Sequence, residues 1–64
     1  MENKIKALRE EHGWSQGALG EKVGVSRQAI NAVERGKHDP SLQLAFKFAE
    51  VFGARIEDLF APEA

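Results

Sequence analysis

Residues 16–35 read QGALGEKVGVSRQAINAVER, two short amphipathic segments joined across a glycine, and this stretch decides the fold. Apolar side chains fall at Leu19, Val23, Val25, Ile30 and Val33. With about 3.6 residues per helical turn, these positions form the facing stripes that two crossed helices need. Gly20 stands where a side chain would strike the second helix, and Gly24 where the chain must turn sharply. Such a turn favours positive φ, which glycine adopts without steric cost. The layout is a helix-turn-helix.

The flanking residues support the same boundaries. Ser15 and Ser26 are suited to cap the two helices. Trp14 with Leu19, and Val25 with Ile30, have the N′ and N4 spacing of a hydrophobic staple. The N-terminal helix is expected over Lys4 to His12, with Asn3 as its cap and Gly13 as its stop. The second helix covers Gln16 to Lys22; its glycines, Gly17 and Gly20, make it a poor helix by propensity. The third runs to Arg35 and ends at Gly36. The fourth begins near Asp39-Pro40-Ser41, where either Asp39 or Ser41 can cap, and stops at Gly53. Its stripe contains Leu42, Ala45, Phe46, Ala49 and Phe52, widened by Leu44, Phe48 and Val51. A short fifth helix covers Ile56 to Phe60, and the tail APEA is expected to fray. The fold class is therefore all-α, a compact five-helix bundle with no strand, in one domain spanning 1–64.

Sixty-four residues support one small core. Cysteine is absent, which excludes disulfides, thiolate metal sites and thiol nucleophiles. The N-terminus has no apolar run, so neither a signal peptide nor a membrane span is expected, and the location expected is cytoplasmic. Net charge is −1, but it is unevenly distributed. Residues 1–38 carry seven Lys/Arg against five Asp/Glu, while residues 39–64 carry two against five. A local basic face therefore lies with the helix-turn-helix. His12 and His38 are far apart in sequence and lack a partnering motif. No nucleophile, phosphate loop or metal-ligand spacing appears, so neither an enzyme nor a cofactor nor a metal is expected.

The third helix has a distinct outer face. Placing Ile30 at zero and taking about 100° per residue, Val33 and Ser26 lie within about 60° of it, on the buried side. Gln28, Asn31, Ala32 and Arg35 fall between about 100° and 200°. Arg27 is intermediate but lies in the first turn, the end that enters the major groove in such motifs. These residue types suit base reading: Gln and Asn for adenine, Arg for guanine, Ala for the thymine methyl. Gln16, at the first position of helix two, can meet a phosphate, as can Arg35, Lys37 and His38. Glu34 points toward the core side, where an anion needs a cationic partner. Arg9 is the candidate, in a structural bridge from helix one to helix three. An ordinary solvated polar face is the plain alternative for helix three, and a solvated loop charge for Lys37 and His38.

In LREEHGWSQ, LGEKVGVSRQAINAVERGKHDPSL, LAFKFAEVFG and IEDLF, the chain resembles the lambda-repressor-like, Cro-type DNA-binding domains, in particular the small Xre-family regulators. The resemblance implies a five-helix fold and a DNA-binding transcriptional regulator, commonly a repressor. It implies Gln16 as the phosphate-positioning glutamine, Arg27, Gln28 and Ala32 as base-facing, and Arg9 with Glu34 as a salt bridge. Gly17 and Ala18 stand where helix formers and an acid are common in the family. Arg55 stands where serine or threonine often caps helix five.

One domain reads few base pairs, so a homodimer on a palindromic operator is expected. Its interface candidates are Phe46, Ile56, Leu59 and Phe60, whose alternative role is to complete the core. Double-stranded DNA is the expected partner, with no small-molecule effector evident. A protein-interaction module of antitoxin-like type is the rival reading.

Overall fold

The computed structural model describes residues 1–61. Five helices follow one another: α1 over Ile5–Glu11, α2 over Gln16–Val23, α3 over Arg27–Glu34, α4 over Leu42–Phe52 and α5 over Ile56–Leu59. Three serines set the starts of the middle helices. The hydroxyls of Ser15, Ser26 and Ser41 accept from the backbone N–H of Ala18, Ala29 and Leu44 at 3.0, 3.1 and 3.1 Å. Each satisfies a donor that the first turn cannot pair internally. Ser41, not Asp39, is thus the cap of α4. Gly24 ends α2 at φ 81° and Gly53 ends α4 at φ 63°, the left-handed conformation that stops a helix.

The core among the described residues is formed by Ile5, Leu19, Val23, Ile30, Val33, Ala45, Phe48, Leu59 and Phe60. All five helices contribute to it, with Trp14, Leu44 and Phe52 partly buried against its edge. Phe48 and Phe60 meet with ring centroids 6.0 Å apart. Trp14 stacks on Phe52 at 5.7 Å, with the Lys22 ammonium 4.6 Å from the indole centroid. Trp14 therefore packs against the core edge, with Phe52 and Lys22 beside its ring.

Two short strands, β1 (Glu2–Asn3) and β2 (Phe60–Ala61), correct the expectation of a purely helical chain. They pair antiparallel, Glu2 opposite Ala61 and Asn3 opposite Phe60. The cause lies in α5, which is only one turn long. Its exit at Phe60 becomes extended (φ −124°, ψ 128°), and Lys4 N–H continues the pairing to Leu59 O at 2.9 Å. The buried Phe60 thus sits on a strand, not at the end of α5, and the first residue of the APEA tail, Ala61, pairs with Glu2; the rest of that tail lies outside the described residues. The N-cap of α1 is Lys4, which makes no side-chain capping bond, and not Asn3, which lies in β1. Asn3 Oδ1 accepts from Ile5 N–H at 3.1 Å, and its Nδ2 donates to Val33 O at 2.8 Å, tying the N-terminus to the end of α3.

Gly17 lies in the first turn of α2, and a Cβ there would meet only Ser15 Oγ at 3.9 Å. Gly17→Ala is expected to stabilise the fold by about 0.5–1 kcal/mol, by removing glycine's excess unfolded-state freedom. Urea unfolding checks this; an unchanged or lower midpoint contradicts it.

Candidate nucleic-acid interface

The position of α3 depends on one close approach. Gly20 is buried, and a Cβ built on it would lie 2.5 Å from the Val25 carbonyl oxygen. Gly20 O also accepts from Gly24 N–H at 2.7 Å and from Val25 N–H at 2.9 Å. The α2–α3 turn is therefore folded back onto α2 itself. The inner side of α3 closes with Ile30 and Val33, both buried.

The opposite side of α3 is open. Arg27, Gln28 and Arg35 are exposed, as are Lys37 and His38 in the following loop; Asn31 and Ala32 are half-buried. No side-chain hydrogen bond to a described residue engages Arg27, Gln28, Asn31 or Arg35. Beyond α3, Gly36 N–H donates to Val33 O and Lys37 N–H to Ala32 O, both at 3.0 Å. These bonds fold the loop back over the helix end, so Lys37 follows α3 directly.

Glu34 and Arg9 form the bridge expected from their helical positions. Arg9 Nε donates to Glu34 Oε2 at 2.6 Å and Nη2 to Oε1 at 3.2 Å, a bidentate pair. The Arg9 side chain is 11% exposed and that of Glu34 only 2%. Arg9 Nη1 donates in addition to Trp14 O at 2.9 Å, which fixes the turn into α2. The hydrogen bond to Glu34 raises the Arg9 guanidinium above its ordinary value, so this group stays charged at every pH at which the fold is useful.

Gln16, at the first position of α2, is half-buried, and its Nε2 donates to Glu34 Oε1 at 3.1 Å. This bond was not foreseen from sequence. It joins two polar residues 18 positions apart, a separation at which helical periodicity carries no signal. Arg9, Gln16 and Glu34 thus form one connected group, while Arg27 and Gln28 stand separately at the other end of α3.

The apolar surface differs from expectation. Leu59 and Phe60 are closed in the core, at 1% and 6% exposure, which removes them from the surface a partner can touch. The large exposed apolar side chains among the described residues are Leu42 at 68% and Phe46 at 58%. They are four residues apart on α4 and so share a face. Ile56 is half-buried and lines, with Pro40, Leu42 and Ala45, a shallow groove of about 260 Å³. Phe46 and Ile56 keep access to a partner, and Leu42 joins them.

His12 is exposed, its Nδ1 lies 2.8 Å from Leu8 O, and its ring packs 4.4 Å from that of Trp14. No helix among the described residues is long and apolar enough to cross a membrane. Arg55 occupies the cap position of α5 but makes no capping bond. Its guanidinium reaches forward instead to Asp58 in the first turn, at 3.3 Å.

A family model described as helix-turn-helix matches residues 5–59. The chain belongs to this family, the lambda-repressor-like, Xre-type class of DNA-binding transcriptional regulators. An uncharacterized HTH-type transcriptional regulator of Methanocaldococcus jannaschii is 56% identical over 63 residues, covering 98% of this chain and 96% of its own length. The similarly named regulator YgzD of Bacillus subtilis is 50% identical over 60 residues, 94% of this chain and 91% of that protein. Among solved structures, the P22 c2 repressor in complex with a synthetic operator matches with a TM-score of 0.82 at 30% identity, over 84% of this chain and 82% of that one.

Proposed function

We propose that this protein represses transcription by binding a palindromic operator as a homodimer, with the first turns of α3 entering the major groove. The observation that carries this reading is the two-sided nature of α3. Ile30 and Val33 are buried, while Arg27 and Gln28 on the same helix, and Arg35 directly after it, are exposed. In this reading Arg27, Gln28, Asn31 and Ala32 meet base edges, and Gln16, Arg35, Lys37 and His38 meet the phosphate backbone. The likeness to the P22 c2 repressor, solved in complex with a synthetic operator, supports DNA as the partner. Titration of isotope-labelled protein with duplex DNA tests it. Amide shifts concentrated at 16 and 27–38 are expected, and shifts confined to α4 and α5 contradict it.

Gln28→Ala is expected to weaken binding to the preferred duplex by roughly 1–3 kcal/mol, with lost preference at one base pair per half-site. An equal loss on every sequence would move Gln28 to a backbone role.

Dimerisation is assigned to the face formed by Leu42, Phe46 and Ile56. An exposed apolar pair on a chain this small is the type of surface a second copy covers. Phe46→Glu is expected to shift the protein toward monomer in sedimentation and to weaken palindrome binding at least tenfold, by loss of coupled half-site contacts. A wild-type protein that stays monomeric both free and on DNA contradicts the assignment.

A further inference from the structure

Glu34 Oε1 is shared between two donors, Arg9 Nη2 at 3.2 Å and Gln16 Nε2 at 3.1 Å, while Oε2 receives Arg9 Nε at 2.6 Å. An ionised carboxylate only accepts hydrogen bonds, so it fixes the orientation of the Gln16 amide with nitrogen toward Glu34. An amide nitrogen carries two hydrogens, and Glu34 takes one of them. The other remains for a second acceptor. Gln16 is also the first residue of the eight-residue α2, beside its unpaired N–H groups.

We infer that Glu34 is a positioning residue for DNA binding: it holds the Gln16 side-chain nitrogen so that its second N–H donates to a DNA phosphate. The same nitrogen then bridges a buried carboxylate and the DNA backbone. Without Glu34 the amide rotates freely, and half of its orientations present the carbonyl oxygen, which a phosphate repels. Arg9 completes the arrangement by balancing the Glu34 charge, so the approaching phosphate meets a paired anion. The inference deepens the reading of Gln16 as a phosphate contact and rests on it. It adds that the bridge between α1 and α3 contributes to backbone grip as well as to folding.

The test is a thermodynamic cycle on the full chain, using a mixed-sequence DNA duplex two helical turns long and fluorescence anisotropy at low salt. Gln16→Ala is made in the wild type and in the Arg9→Met/Glu34→Leu pair variant, which removes the acceptor without leaving a lone buried charge. In the wild type Gln16→Ala is expected to weaken binding about tenfold, the loss of one hydrogen bond to a charged acceptor. In the pair variant the same substitution is expected to cost only about twofold, since a freely rotating side chain retains little of that bond. Equal losses in both backgrounds overturn the positioning role while leaving Gln16 a phosphate contact. No loss in the wild type overturns the phosphate contact and the inference with it.

A second measurement needs no variant. In wild-type protein, one Nε2 proton of Gln16 is expected to be protected from solvent exchange. On adding the duplex, that proton should keep its resonance position while its sister proton moves. Both protons moving, or neither, overturns the inference.

Discussion

Arg9→Met is expected to lower stability by about 3–5 kcal/mol, the typical cost of leaving a buried charge without its partner. Glu34 is the charge in question, with its side chain 2% exposed, and after the substitution Gln16 Nε2 is the one donor it retains from the group. Trp14 O also loses its bond from Arg9 Nη1, so the turn into α2 is loosened as well. A chain of 64 residues has a total stability of about 3–10 kcal/mol, so the variant should lose about a third of it or more and melt well below the wild type. Arg9→Lys should fall between the two, because an ammonium cannot reproduce the bidentate geometry. The Arg9→Met/Glu34→Leu pair variant should be more stable than Arg9→Met alone, since it leaves no charge unpaired. Because the raised Arg9 guanidinium titrates only in strong alkali, its contribution is fully present at every ordinary pH. Thermal melting followed by circular dichroism measures all three variants. An Arg9→Met melting point within a few degrees of wild type would show the bridge to be dispensable.

Gly20→Ala is expected to destabilise by about 1–3 kcal/mol, against the helix propensity that favours alanine by about 1 kcal/mol. The decisive quantity is the 2.5 Å between the added Cβ and the Val25 carbonyl oxygen. The obstacle is backbone, so no side chain can rotate away, and α3 must shift relative to α2. DNA affinity should then fall further than the lost stability accounts for, because Gln16 and the outer face of α3 no longer keep their relative placement. Gly17→Ala, three residues earlier, carries the opposite expected sign because its Cβ makes only an ordinary contact, with Ser15 Oγ at 3.9 Å. Comparing the two isolates the close approach from propensity. Equal effects on urea midpoints would contradict the argument.

Much of this structure was legible because its constraints are local. A serine before an apolar run, a glycine after one, and staple pairs at fixed spacing each act within one or two helical turns. The bridge between Arg9 and Glu34 was also legible, because an acid turned toward the core demands a nearby cation. The β1–β2 pairing was not. A two-residue ladder has no alternation to detect, and Glu2 and Asn3 are poor strand formers chosen for other reasons, Asn3 for its bonds to Ile5 and Val33. Helix α4 misled differently. Its apolar residues cover more than half of its circumference, so periodicity could not show which of them face outward. Leu42 proved exposed beside Phe46, which was an interface candidate, while Phe60, a candidate for either the interface or the core, closed the core beside Phe48. The bond between Gln16 and Glu34 depends on how the α1–α3 bridge meets the start of α2, which is a property of the assembled fold.

Selection of bound sites from a random duplex DNA library at physiological salt, with sequencing of the enriched pool, tests the central claim most directly. Two copies of α3 reading adjacent major grooves predict a palindrome whose half-sites lie about one helical turn apart. Repeating the selection with Gln28→Ala should relax one position in each half. A pool that remains random under conditions where the protein is folded would contradict operator recognition by α3.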